Sequence, residues 1–420
     1  MSWLNLPNKS GPPVWSQTAQ KTLLDQRLVG NSERMKCVFN IFVLGIVSFL
    51  TDISSEMVYP LLPIFLTVNL GASTAIVGII EGIAESLASL LKVFSGYWGD
   101  KTKRKKELAI VGYSSSFLGK IILILAGSWS GVLLSRVVDR LGKGVRTAPR
   151  DAMIADSAEE KSYGQAFGLH RAMDTFGAVI GVTIAYLLLM ANTSNFKQIF
   201  LFSMIPALLG VVTLFFIRQP RKIKESGKTF SFSWSQLDGR LKAFLILTFI
   251  FNLGNSSNQF LLLRANKLGA SAPLVVLLYL VYNLSYWILS YPAGRISDRV
   301  GRKRVLVVGY FIYALVYLGF AWVSGISPMW ALFIIYGIYI ALTEGVEKAL
   351  LADIAPSHLR GTVIGLHAAL VGVALLPASF IAGLLWEFVG ARAPFYFGSG
   401  MGLLAAIGLL FILSDQQYVV

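Results

Sequence analysis

Residues 71–100 read GASTAIVGIIEGIAESLASLLKVFSGYWGD, and residues 269–298 read GASAPLVVLLYLVYNLSYWILSYPAGRISD. The two stretches align without a gap. Gly71, Ala72 and Ser73 meet Gly269, Ala270 and Ser271, Gly96 meets Gly294, and Asp100 meets Asp298. A second echo follows in each half: Ala155-Asp156 precedes Gly164, Gly168, Leu169 and His170, while Ala352-Asp353 precedes Gly361, Gly365, Leu366 and His367 at nearly the same offsets. Internal repetition of this kind divides the chain into two halves built on one plan.

The composition says in what solvent that plan is realised. With 55% hydrophobic residues, 14% charged residues and a mean hydropathy of +0.65, the chain carries more apolar surface than one soluble core hides. About twelve apolar segments of the roughly 20 residues that span a bilayer begin near Val38, Ala72, Leu108, Gly131, Gly164, Phe196, Leu241, Pro273, Val305, Pro328, Thr362 and Pro394. The expected fold is an all-α integral membrane protein with twelve transmembrane helices in two pseudo-symmetric six-helix bundles. The domains expected are a tail 1–36, a bundle 37–217, a basic linker 218–240, a second bundle 241–414 and a short tail 415–420.

Charge gives the orientation. The formal charge of +15 could suggest a nucleic-acid binder, but the bases lie on alternate loops. DKTKRKKE, RQPRKIKESGK and DRVGRKR share one side, whereas NLGAST, AGSWSG, NTSNF and SGISPMW share the other. Clustered Lys and Arg mark the cytoplasmic face, so both termini and the linker are expected inside a bacterial cytoplasmic (inner) membrane, with lipid as the surrounding partner and no nucleic acid. The single cysteine, Cys37, excludes a disulfide framework or a cysteine metal site. There is no phosphate-binding loop, no nucleophile constellation and no His or Cys metal cluster. The expectation is therefore no enzyme, no cofactor and no metal. A membrane scaffold or receptor would need binding domains in its loops, which are mostly short.

The loops after the second and eighth spans carry a family resemblance. GYWGDKTKRKK and GRISDRVGRKR resemble the loop motif of the major facilitator superfamily, G-x-x-x-D-[RK]-x-G-[RK]-[RK]. The second copy is complete, with Gly294, Asp298, Arg299, Gly301, Arg302 and Lys303; the first keeps Gly96, Asp100, Lys101, Arg104 and Lys105 but has Lys103 in place of the turn glycine. Arg136 falls where the family places its fourth-helix arginine, and Arg140 replaces a glycine normally found there. The resemblance implies two bundles rocking about a central cavity lined by helices one, four, seven and ten, with transport by alternating access. The paired loops then act as a gating latch. The glycine permits close helix approach, and the aspartate sits near a helix N-terminus or an arginine.

Charges inside the spans are candidates for the transport site, because each is costly facing lipid. In SRVVDRLGKGVRTAPRDAMIAD, residues 135–156, Asp139, Lys143, Arg146 and Arg150 recur at helical spacing, and Arg136, Arg140 and Lys143 form an adjacent row. Helix four is expected to leave the membrane near Pro149, with Asp151 and Asp156 in ordinary pairs beyond it. Partner carboxylates are Asp52 and Glu56 on helix one, with Arg140 expected to pair with one of them. Glu81 and Glu85 on helix two share a face with Lys92, as a transport site or as a structural pairing. Helix five adds His170, Arg171 and Asp174; His170 reads more simply as a structural core histidine, because its repeat mate His367 sits in an apolar stretch with no acidic neighbour. Helix seven offers Asn252, Asn255, Ser256, Asn258, Gln259 and Arg264; helix ten offers Glu344, which could equally pair with Lys348. Tyr279, Tyr282, Tyr286 and Trp287 read more simply as lipid-facing or interfacial than as substrate contacts.

These residues point to a secondary active transporter, working as a monomer on a small-molecule substrate with the proton as coupling partner through Asp52, Glu56 or Glu85. Arginines and lysines suit an organic anion, a metabolite or a siderophore. Drug efflux is the alternative, although the helix-five stretch FGAVIGVTIAYLLL lacks the proline usual in that group. An uncoupled facilitator is the other.

Overall fold

The computed structural model describes residues 39–102, 104–158, 163–191, 195–217, 237–355 and 360–412. The tails 1–36 and 415–420 and most of the linker 218–240 lie outside them. All regular structure in the described residues is helical. We number the helices α1 (Phe39–Asn69), α2 (Thr74–Thr102), α3 (Lys105–Leu125), α4 (Trp129–Asp156), α5 (Tyr163–Ala191) and α6 (Phe196–Leu214). The second half comprises α7 in two pieces (Gly239–Gly254 and Gln259–Lys267), α8 (Ala272–Val300), α9 (Arg302–Trp322), α10 (Ser327–Ile354), α11 (Arg360–Leu384, prolonged to Val389) and α12 (Ala393–Ile412).

The repeat read from the sequence is a repeat of helices. α2 and α8 each have 29 residues, α3 and α9 each 21, and α4 and α10 each 28. Both copies of the Gly-Ala-Ser signal place their glycine in the left-handed region, Gly71 at φ +62° and Gly269 at φ +95°, a turn that a side chain would strain.

Ten helices in the described residues are long and apolar enough to cross a membrane. The other two, α4 and α7, fail for reasons that concern the site. α4 has too many charges, and it runs past the expected exit at Pro149 to Asp156. α7 is broken at Asn255–Asn258, where a run of Gly, Asn and Ser has little helix preference. The carbonyl that the break frees at Gly254 accepts a hydrogen bond from the Tyr313 hydroxyl, 2.8 Å away.

Within the first half α4 packs on α2 and α3, and α3 on α6; within the second, α10 packs on α8 and α9, and α12 on α7 and α9. Between halves α2 meets α11 and α5 meets α8. The α2–α11 seam is tight toward the end remote from the basic loops. A Cβ on Gly82 would lie 3.0 Å from the Leu376 backbone, and one on Gly383 2.8 Å from Ala75 Cα. Ser86 Oγ donates to the Gly372 carbonyl at 2.6 Å, and the Ala75 N–H to Glu387 at 3.1 Å. Toward the basic end the seam gives way to a cavity whose lining runs to Lys92, Arg150 and Lys348. Gly168, Gly294, Gly345 and Gly365 have open space where a Cβ would stand.

The loop motifs divide accordingly. Lys103, the Asp100 side chain and the surroundings of Gly96 lie outside what the structure describes, and Lys101 and Arg104 are exposed. In the second loop Gly301, at φ +102°, makes the tight turn. Asp298 lies 3.5 Å from Arg302, which in turn holds Asp353 of α10 at 2.9 Å and donates to the Ala349 carbonyl. Arg299 is exposed. Gly294 does not mediate a close approach here, contrary to expectation: a Cβ there would meet nothing within 4 Å.

Candidate functional site

A cavity of about 850 Å³ lies between the bundles. Its first wall, from α1, α2, α4 and α5, is charged. Its second, from α7, α8, α10 and α11, is largely neutral and aromatic.

The charged wall is an ordered set of pairs. Arg136 holds Glu81 through two hydrogen bonds, Nε–Oε1 at 2.9 Å and Nη2–Oε2 at 3.0 Å. Glu81 is 1% exposed and does not reach the cavity, so this pair is structural. One turn on, Arg140 contacts Glu85 at 2.8 Å and Asp139 at 4.0 Å. The expected pairing of Arg140 with Asp52 or Glu56 is thus wrong: α4 packs directly on α2, whose acids reach the guanidinium first. Lys92 shares the α2 face with Glu85 but makes no salt bridge to it. Arg146 stacks on Tyr113, 4.3 Å from its ring centroid, and bonds Ser116 Oγ at 2.6 Å. Arg150 pairs with Asp151 at 2.8 Å, and Lys105 with Asp156 at 2.8 Å.

Helix one takes different partners. Asp52 lines the cavity together with Asp174 of α5. Glu56 accepts from Tyr279 across the bundle gap at 2.9 Å. Arg171 joins this group at 3.3 Å from Asp174 and reaches the other half at Tyr286 (3.1 Å) and Glu344 (3.8 Å). Glu344 also holds Lys348 at 3.6 Å, the local pair considered above, and accepts from Tyr286 at 2.7 Å.

On the neutral wall, Asn255 donates to Tyr339 at 3.2 Å, and Tyr336 donates to Asn258 at 2.7 Å. These amides face the cavity because the broken helix turns them inward. Tyr279, Tyr282 and Tyr286 line it too, correcting the lipid-facing reading, which holds only for Trp287 at 52% exposure. Arg264 is not a site residue. It is 4% exposed and caps α9, donating to Phe320 O at 3.0 Å and Val323 O at 2.8 Å. Gln259 is fully buried and does not line the cavity.

Sequence reasoning missed several lining residues. Lys120 is the one charged residue in the apolar stretch of α3 beyond Glu107, where its cost was itself the signal; it bonds the Ser54 carbonyl at 3.1 Å. Tyr59, Tyr336 and Tyr339 left only a helical spacing of aromatics to read. His170 is a core histidine, as expected, bonded to Ser48 at 2.7 Å. His367 does have an acidic neighbour, Glu347 at 3.3 Å, which comes from α10 and which Tyr310 also bonds at 2.9 Å.

Comparison with known proteins agrees with this architecture. The family model of the Major Facilitator Superfamily matches residues 44–251 and 243–418. An uncharacterised MFS-type transporter of Methanocaldococcus jannaschii is 36% identical over 401 residues, 93% of this chain and all of the relative. The quinolone resistance protein NorA of Staphylococcus aureus is 28% identical over 150 residues, 36% of this chain and 38% of its own length. Among solved structures, the nucleoside transporter NupG superposes with a TM-score of 0.75 at 13% identity, covering 89% of this chain and 100% of that one. A D-xylose–proton symporter gives 0.71 at 17% identity, covering 91% and 98%.

Proposed function

We propose that this chain, which belongs to the major facilitator superfamily, is a proton-coupled secondary transporter of a small organic anion. That it is a multi-pass membrane protein of a transporter family is the established part. The solute, the coupling and the direction are our reading.

The observation that carries it is the cavity between the bundles, sealed along α2 and α11 at one end and parted at the basic end. A rocking of the halves that closed the parted end and opened the seam would present the same walls to the other side. In this reading the basic loops, the termini and the linker 218–240 face the cytoplasm, the membrane is the bacterial cytoplasmic one, and the transporter works as a monomer.

Coupling rests on Asp52 and Asp174, two acids lining the same cavity, and loss of a proton from this pair sets two like charges against each other. Arg171 is drawn toward them and away from Glu344 and Tyr286, the contacts by which it bridges the bundles. Proton release and the inter-bundle tie are then linked. Arg150, Lys143, His170 and Glu56 also face this pair and set its balance. A second reading, proton-driven drug efflux, is favoured by the partial match to NorA. The cation-rich wall disfavours it for positively charged drugs.

Proteoliposomes test the coupling. Under an imposed pH gradient the wild type should accumulate an anionic solute, and Asp52→Asn should exchange it across the membrane without accumulating it. Accumulation that is indifferent to the gradient would leave the facilitator alternative instead.

A further inference from the structure

The charged wall is paired almost throughout, and two cations stand out from it. Lys92 on α2 and Lys143 on α4 both line the cavity and are half-buried. Their helices are held together there, with Ser95 Oγ donating to the Gly144 carbonyl at 2.8 Å. Among the described residues, Arg136, Arg140, Arg150 and Arg171 each contact a carboxylate, Arg146 has Ser116 and Tyr113, and Lys120 has the Ser54 carbonyl. Among the described residues, neither the Lys92 nor the Lys143 ammonium group has a hydrogen-bond partner or a carboxylate at salt-bridge distance. The like charge of Lys143 outweighs the carboxylate of Glu85 at Lys92, and that of Arg140 outweighs either Glu85 or Asp52 at Lys143. Such a recess concentrates anions, and an oxyanion between two ammonium groups relieves their repulsion while forming charge-assisted hydrogen bonds.

We infer that Lys92 and Lys143 together seat one oxyanion group, a carboxylate or a phosphate, of the solute that the cavity carries. The inference rests on the transport reading and narrows it. The anionic group lies against the first bundle, and the rest of the solute meets the tyrosines and asparagines opposite. A headgroup-facing role does not account for these lysines, because they line the inter-bundle cavity rather than the rim.

The test measures local charge directly. Thr147, one turn beyond Lys143, lines the cavity and accepts a cysteine, T147C, in a chain carrying C37S. In purified protein in nanodiscs, the rate of modification by a sulfonate-bearing methanethiosulfonate is compared with that by its trimethylammonium analogue. The ratio should favour the sulfonate, fall about tenfold in K92Q and in K143Q, and be kept in K92R and K143R. Lys106→Gln, outside the cavity, should leave it unchanged. Millimolar phosphate, succinate or citrate should slow the sulfonate reaction in the parent protein and not in the K92Q/K143Q double variant. A ratio unaffected by either Gln substitution, or protection by tetraphenylphosphonium and by none of the oxyanions, would overturn the assignment. The measurement needs no turnover, so failure of coupled transport in proteoliposomes leaves its outcome intact, and its failure leaves alternating access standing.

Discussion

Arg136 and Glu81 allow the structural share of the charged wall to be measured apart from transport. Replacing Arg136 by Gln strands a carboxylate that is 1% exposed, and it takes from Asp139 a cation 3.6 Å away, leaving it Arg140 at 4.0 Å. Removing one member of a buried pair costs about 3–5 kcal/mol. The upper part of that range applies, because two acids lose a partner and the guanidinium also sits 5.9 Å over the Tyr59 ring. At 1.4 kcal/mol per tenfold, the ratio of folded to unfolded protein should fall by about three orders of magnitude. Glu81→Gln in the same chain removes the stranded charge, so the double variant should regain about 2–3 kcal/mol over the arginine variant alone. Unfolding of the four proteins in detergent, by heat or by titrated SDS, closes the cycle. A double variant no more stable than Arg136→Gln would show that the cost lies in the arginine's packing, and the argument from charge would fail.

Arg140→Gln should reduce transport far more than stability, because its partner Glu85 is 30% exposed and can reach cavity water; an initial-rate assay beside a melting curve separates the two. Gly337→Val should destabilise the protein by several kcal/mol, since its Cβ would stand 2.6 Å from the Tyr282 carbonyl, while Gly345→Val, with open space around it, should not. Asp298→Asn should shift the balance between the two access states, read as labelling of single cysteines from each side, because its link to Arg302 is lost at constant volume. For orientation, a cysteine at Arg240 should react with an impermeant reagent only from the cytoplasmic side and one at Ser128 only from outside; the reverse pattern would invert the topology.

Much of the fold was legible because hydropathy and repetition are local signals. The equal lengths of α2 and α8 follow from a gapless alignment that needs no structure. Which charges meet is a different kind of information. Both Asp52 and Glu85 lie near mid-depth, and helical spacing alone allows either to meet Arg140. Only the packing of α4 on α2 decides for Glu85. Arg264 misled for a related reason: a charge in a span was read as cavity-facing, whereas a helix end can equally consume it. The His367–Glu347 contact joins two helices whose sequence patterns carry no sign of each other.

The pairing of the charged wall also bears on how the membrane voltage acts. One elementary charge crossing 100 mV is worth about 2.3 kcal/mol. Arg136 with Glu81, and Arg140 with Glu85, sit on helices of a single bundle, so a rocking of that bundle moves each pair as a dipole and displaces little net charge. Lys92 and Lys143 have no salt-bridge partner that travels with them. If they seat an oxyanion as inferred above, reorientation of the first bundle with the seat empty would carry their charge through part of the field, and a bound anion would cancel it. On that reading voltage would act mainly on the unloaded protein, setting how fast the carrier returns rather than how tightly it holds its cargo.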